Sequence, residues 1–348
     1  MTFLPEKLSD CLHYDQTVPK KMVHRAAINE VFITSGRRIA DSQFECAAQL
    51  PRTHTYFNDH IHQTKYYDIL LFVEVFRQAS IYISHAFLNV AVTDKFIYSS
   101  GNTHILSRET LVVNDCPTNA RVSIEVLDEH IRQGVRSGVT LELVIIIDGV
   151  AVAQERVALK WINSASWDRM RQKGMATIPN PFNHDIQLPP PIDPAHVGRE
   201  LKSNVVLGKK FDRSKENIST QVIVNQTNAG LFDHALDHIP GMLIMEAFRQ
   251  TSLLLVKQSL QFEAHELLFT ECNVEFTKFG EFGINTICNA KVVSNDTSGN
   301  ADVIEILLTM TQLGAIIANG SLKLAAIGIN RRANFGADFS FDKEKEVE

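Results

Sequence analysis

The chain has 348 residues, 45% of them apolar and 21% charged, a profile of a folded globular protein long enough for two domains of about 150 residues each. Lys and Arg number 34 against 40 Asp and Glu, a net charge of −6, and no basic cluster breaks that balance, which argues against nucleic acid as a partner. The most apolar stretches, around 143–153 and 313–329, are interrupted by Asp148-Gly149 and Asn319-Gly320 and fall short of the roughly 18 unbroken apolar residues of a membrane span.

The opening MTFLPEKLSD shows no basic segment followed by an apolar core. Cys11, Cys46, Cys116, Cys272 and Cys288 are widely spaced and form no CxxC pair. A soluble cytoplasmic protein with reduced thiols and no membrane association is the expectation.

In chain order the elements come twice. Apolar Val31-Phe32-Ile33 is followed by Asp59-His60, then by an apolar run over 69–84 that carries Glu74-Val75-Phe76-Arg77-Gln78-Ala79-Ser80. The same order returns as Val205-Val206-Leu207, Asp233-His234 and a run over 242–256 carrying Glu246-Ala247-Phe248-Arg249-Gln250-Thr251-Ser252. Both the apolar triplets and the histidines are separated by 174 positions, while the helix motifs differ by a two-residue shortening of the loop. Downstream, Glu142 to Lys160 and Glu305 to Lys323 cover equal spans and read as paired strands about a Gly-containing turn. Each copy therefore predicts two strands, an Asp-His loop, one helix and about four strands. The helical runs are apolar nearly all round, so each helix is buried on most sides. A curved antiparallel sheet wrapped round a central helix, an α+β architecture, is expected twice. The units fall at 1–163 and 199–330, joined by a Pro-rich segment over 164–198 expected to be extended and stiff, with a charged tail over 331–348.

Glu74 with Arg77, and Glu246 with Arg249, place charge in the middle of these buried helices, one turn apart on one face. A self-neutralising ion pair is one reading. Buried ion pairs stabilise poorly compared with apolar residues, so a functional reading gains weight. Before the second helix stands Asp233-His234-Ala235-Leu236-Asp237-His238-Ile239-Pro240-Gly241. Pro240-Gly241 leaves helix-start amides to bind an anion or oxyanion, and His234 or His238 is placed to act as a base or to orient a substrate. The first copy has His54, Asp59, His60 and His62, but Asp68-Ile69 replaces Pro-Gly. A carboxylate there competes with an anionic ligand, so the two sites are not equivalent. No third and fourth metal ligand, hydrolase elbow, phosphate loop or dinucleotide fingerprint is present, and no cofactor is called for.

The segment FDHALDHIPGMLIMEAFRQ resembles the central-helix region of hotdog 3-hydroxyacyl-carrier-protein dehydratases, with Pro240, Gly241, Glu246 and Gln250 in matching spacing. The whole chain more closely resembles the A-factor biosynthesis (AfsA-like) family of tandem hotdog proteins, over roughly residues 22–326. His24-Arg25-Ala26-Ala27, Glu30-Val31-Phe32, Glu74 to Gln78 and Phe232 to Gln250 carry that likeness. The resemblance implies an acyltransferase of γ-butyrolactone or butenolide signal biosynthesis. Such enzymes move a β-ketoacyl group from an acyl-carrier-protein thioester to the hydroxyl of dihydroxyacetone phosphate.

Glu246 or His234 would then deprotonate the hydroxyl, Gly241 would hold the oxyanion and Arg249 the phosphate. Arg249 favours a charged co-substrate, and no cysteine falls in the cluster. Hotdog pairing implies that His60 faces Glu246 and Arg249, and that His234 faces Glu74 and Arg77. The expected catalytic residues are thus Glu246, Arg249, His234, His60, Glu74 and Arg77. Gly241, His238, Gln250, Gln78, Asp233 and Asp237 are the expected binding residues, and the site of Gly241, Glu246 and Arg249 is expected to be the active one. A thioesterase or dehydratase, or a non-catalytic acyl- or lactone-binding protein, are the alternatives. The tandem pair already completes a hotdog dimer within one chain, whether as monomer or homodimer.

Overall fold

The computed structural model describes residues 11–176, 178, 189–214, 216–296 and 303–327. The first half runs β1 (Ile33–Ala40), β2 (Gln43–Leu50), α1 (Ile69–Phe87), β3 (Lys95–Ile105), β4 (Thr118–Arg132), β5 (Val135–Ile147) and β6 (Val150–Ile162). The second runs β7 (Leu207–Arg213), β8 (Asn217–Val222), α3 (Gly241–Leu260), β9 (Leu267–Phe276), β10 (Thr286–Asp296), β11 (Val303–Gln312) and β12 (Ala315–Ala326). Two strands, a helix and four strands thus occur twice, as the sequence pattern predicts.

All twelve strands form one antiparallel sheet in the order β1-β2-β4-β5-β6-β3-β9-β12-β11-β10-β8-β7. The halves meet where β3 pairs with β9, Gly101 opposite Val274 and Thr103 opposite Cys272. The joint lies at the centre of the sheet order, so a pseudo-twofold axis relates the halves. Each helix is a core element. Leu71, Phe72, Val75 and Phe76 of α1, and Leu243, Ala247 and Phe248 of α3, are fully buried. Truncating Phe76 or Phe248 to Ala would cost about 3–5 kcal/mol.

The hairpin turns Asp148-Gly149 and Leu313-Gly314 both have positive φ at their two central residues, the geometry that joins two twisted strands most directly. They align at an offset of 165, so the Glu142/Glu305 and Lys160/Lys323 matches are displaced by two residues. The segment expected to be extended begins instead as a helix, α2 (Ser164–Met175), capped by the Asn163 side chain and buried at Trp167 and Arg171. Its prolines crowd into the later part and leave 164–175 free to coil. Beyond it, Pro191 bridges to Gly208 at the edge of the second half. Asn180-Pro181 and the tail lie outside the described residues. No helix among the described residues is long and apolar enough to cross a membrane.

Candidate active site

Each central helix carries an arginine–glutamate–arginine cluster, and the two clusters obey one plan. In the first, Glu74 of α1 accepts from Arg77 Nε and Nη2 (2.8 and 2.9 Å), from Arg25 Nε (3.0 Å) and from Gln78 Nε2 (2.6 Å). Arg25 Nη2 lies 2.6 Å from its other oxygen. In the second, Glu246 of α3 accepts from Arg199 Nε and Nη2 (2.9 and 2.8 Å) and from Gln250, with Arg249 Nη2 at 2.7 Å. Arg25 and Arg199 stand 174 positions apart, the repeat offset of the histidines. Burial alone would raise both carboxyls. The paired guanidiniums outweigh it and hold each at about 2.

A carboxylate so fully bonded is a poor proton acceptor, and neither glutamate is a base in this arrangement. Gln78 and Gln250 are also fully engaged. Gln78 accepts from Phe32 N and donates to Glu30 O (2.9 and 2.7 Å), and Gln250 does the same with Val206 N and Asn204 O (2.9 and 2.7 Å). Both amides tie helix to sheet entry instead of reaching a substrate.

The clusters differ in what closes them. Tyr56 donates to Glu246 at 3.0 Å, and Arg199 Nη1 donates to the carbonyls of Tyr56 and Asp59 (both 2.7 Å). Asp68, whose side chain caps Leu70 N of α1, also pairs with Arg249. The expected competitor at the first helix start therefore neutralises the arginine of the other helix. Arg199 is 1% exposed and Arg249 7%, so this cluster is sealed. At the first cluster the counterpart of Tyr56 is Gly230, which packs so tightly on Tyr56 that a Cβ would lie 2.6 Å from its Cβ. The counterpart of Asp68, at the helix offset of 172, is Pro240, which carries no charge. The Arg25 and Arg77 side chains remain 13% and 24% exposed, and Arg77 Nη1 has no protein acceptor among the described residues.

Asp68 shows that the start of α1 faces the arginine of α3. Gly241, at the start of α3, stands eight residues and about 12 Å along the helix from Arg249, and the repeat symmetry relates it to Arg77. At that start, Gly241 passes the Phe276 ring so closely that a Cβ would meet it at 3.0 Å, and no side chain caps the helix.

The Asp-His loops cross between halves. Asp59 accepts from Glu200 N and Leu201 N (2.9 and 3.0 Å), and Asp233 from Ala27 N and Ala26 N (3.0 and 2.6 Å). Each aspartate thus clamps the segment bearing the other half's arginine, and Asp233 lies 4.0 Å from Arg25. His234 Nδ1 sits 3.4 Å from Asp233, and its side chain is 42% exposed. The expected approach of His234 to the Glu74 and Arg77 cluster is made through Asp233 and Arg25.

His60, in contrast, is buried. Its Nε2 meets Tyr66 O at 3.0 Å and its Nδ1 faces His62, while Tyr56 occupies the expected place against Glu246. Burial, then the neighbouring His62, lower its pKa to about 4. Downstream, His238 Nδ1 lies 2.6 Å from Asp237, which Trp167 Nε1 and Arg171 Nε of α2 hold in place (3.2 and 3.1 Å). Arg171 also pairs with Glu281. Helix α2 therefore braces the loop between His234 and Gly241. No group of three metal-ligating side chains occurs among the described residues.

The A-factor biosynthesis hotdog domain model matches residues 9–162 and 182–328. The chain belongs to the A-factor biosynthesis hotdog family. A 2-oxo-3-(phosphooxy)propyl 3-oxoalkanoate synthase of Streptomyces virginiae is 32% identical over 76% of this chain and 84% of that protein. A synthase of the same name from Streptomyces griseus is 25% identical over 76% and 81%. Among solved structures, the 12:0-ACP thioesterase of Umbellularia californica aligns with a TM-score of 0.47 at 11% identity, covering 82% of this chain and 94% of that one. The fold is the tandem hotdog, one A-factor biosynthesis hotdog unit in each matched stretch.

Within that family architecture the sequence reading missed Arg25, Arg199 and Tyr56 as cluster members. The arginines lie 49 and 47 residues before their glutamates, beyond any helical spacing. The 174-residue offset between them was the available signal.

Proposed function

We propose that this protein is an acyltransferase that moves a 3-oxoacyl group from an acyl-carrier-protein thioester to the hydroxyl of dihydroxyacetone phosphate, and that it does so at the α1 cluster. The kinship with the named synthases supports the reaction, since their product name describes that ester. The observation that carries the placement is the pair Arg25 and Arg77. Glu74 aligns both forks, yet both keep an accessible edge, whereas Tyr56 and Asp68 close the matching α3 cluster.

Two aligned guanidiniums suit a phosphate by paired charge-assisted hydrogen bonds. Asp233 holds His234 from the Nδ1 side and leaves Nε2 as general base, the usual dyad logic. The hydroxyl oxygen attacks the thioester carbon as its proton passes to His234 Nε2. The oxyanion so formed is stabilised by the Gly241 and Met242 amides at the uncapped start of α3. Collapse breaks the C–S bond, and the departing thiolate takes the proton from His234. Thioester and alcohol become ester and thiol, with no acyl-enzyme. The acceptor must be held in line with the thioester, a large share of such a rate enhancement.

Mass spectrometry of the protein with a 3-oxoacyl carrier protein, with and without dihydroxyacetone phosphate, tests the reading. The phosphorylated ester is expected only when both are present, and is lost in Arg77→Ala. Free 3-oxo acid or an enoyl thioester independent of the phosphate would overturn it in favour of a hydrolase or dehydratase.

A further inference from the structure

One buried acid has no part in the scheme above. Glu155 of β6 is 4% exposed and faces Thr103, its ladder partner on β3. The Thr103 hydroxyl donates to Glu155 Oε1 at 3.1 Å, and Oε2 has no protein partner among the described residues. Gly101 makes room for the carboxyl, since a Cβ there would lie 3.3 Å from Oε1. No lysine or arginine bonds to it. An unpaired buried carboxyl of this kind stays protonated and is then a hydrogen-bond donor.

Its position links it to the α1 cluster. Tyr98 of β3 donates to the carbonyl of Arg77 and lies close to the side chains of Arg77, Glu155 and Glu74. The other half lacks the feature. The hairpin offset of 165 places Gly320 at the position of Glu155, with Val274 as its ladder partner in place of Thr103. The acid is thus present only on the half whose cluster is open, like the Arg25 and Arg77 edges themselves. A 3-oxoacyl chain differs from a fatty acyl chain by one ketone, which only accepts hydrogen bonds and so must be read by a donor.

Building on the transferase reading, we propose that Glu155 is the residue that recognises the 3-oxo group of the acyl chain, donating a hydrogen bond from Oε2 while Thr103 fixes Oε1. Burial, only partly offset by the Thr103 bond, raises its pKa to about 8, so the donor is present at neutral pH. The titratable groups facing it from other strands are Tyr98 of β3 and Cys272 of β9. Burial drives both upward, the thiol to about 12, so neither changes charge near pH 8.

The test is calorimetric binding of 3-oxooctanoyl-pantetheine and octanoyl-pantetheine without dihydroxyacetone phosphate, so that it reads recognition even if transfer to that acceptor fails. Wild type should favour the 3-oxo probe by about tenfold or more, the worth of one good hydrogen bond. Glu155→Ala should lose that preference with octanoyl binding unchanged. Glu155→Gln, which retains an N–H donor, should keep it. Between pH 7 and 9 the wild-type preference should decline while that of Glu155→Gln stays flat. Equal affinity of wild type for both probes, or equal weakening of both in Glu155→Ala, would overturn the assignment. If Glu155→Ala does not fold, a Glu155→Gln preference that still declines above pH 8 would do so.

Discussion

The α1 and α3 clusters share a plan down to single hydrogen bonds and differ at two positions of consequence. Where the α3 cluster has Tyr56 on Glu246 and Asp68 on Arg249, the α1 cluster has Gly230 and Pro240 in the corresponding places. The first difference removes a plug and the second removes a carboxylate, leaving Arg25 and Arg77 to attract an anion. A duplicated chain needs its internal symmetry for packing. The copy closed off from solvent by Tyr56 and Asp68 is the one that the proposed function leaves as structure.

The comparison breaks most sharply at the second arginines. Arg77→Ala should lower kcat/KM for dihydroxyacetone phosphate by about a hundredfold or more, as loss of a desolvated charge partner does, and should also lower the melting temperature, because buried Glu74 is left with Arg25 as its remaining cation. Arg249→Ala strands the buried Asp68 side chain without its cation and leaves Glu246 with Arg199 alone, and should cost about 3–5 kcal/mol of stability. Chemical denaturation and steady-state kinetics on both variants check the split.

The histidines sharpen it. His234→Ala should reduce kcat by about 10²- to 10⁴-fold, the range of a lost general base. His60→Ala, at the matching position of the sealed half, should leave kcat within a few-fold of wild type. A smaller effect is expected at Tyr56→Phe, which removes one hydrogen bond to a charged group. It should lower stability by about 1.5–3 kcal/mol without moving KM.

Acid stability should fall in two stages. His24 and His60 are held near 4, below the ordinary 6.5, first by burial and then by a neighbouring histidine. An unfolded chain therefore binds those protons first, and the stability they contribute is full above about pH 6.5 and is lost as pH falls towards 4. Glu74 and Glu246, depressed from 4.5 to about 2, contribute stability that is full above about pH 4.5 and is lost towards 2. Melting temperatures from pH 8 to 3 should show the first decline already by pH 6, and His60→Asn should reduce it.

Much of the fold was legible because the repeat recurs in charged residues set inside apolar helices. A Glu-x-x-Arg-Gln face inside an apolar helix stands out, and it fixed both helices and the strands around them. The cluster partners were hidden for physical reasons. Arg25 and Arg199 come from irregular segments, and their contacts are set by how the chain returns to the sheet. Helix α2 was obscured by prolines that follow it. Pairing of the α1 start with the arginine of α3 is a tertiary contact that no spacing along the chain announces. The hairpin register slipped by two because a charge match at Lys160 and Lys323 was more visible than the turn dipeptides.

The central claim, one open cluster and one sealed, is tested most directly by the stoichiometry of dihydroxyacetone phosphate binding in a calorimetric titration. The account predicts one site per chain, lost in Arg77→Ala. Two sites per chain, or undiminished binding in Arg77→Ala, would contradict it.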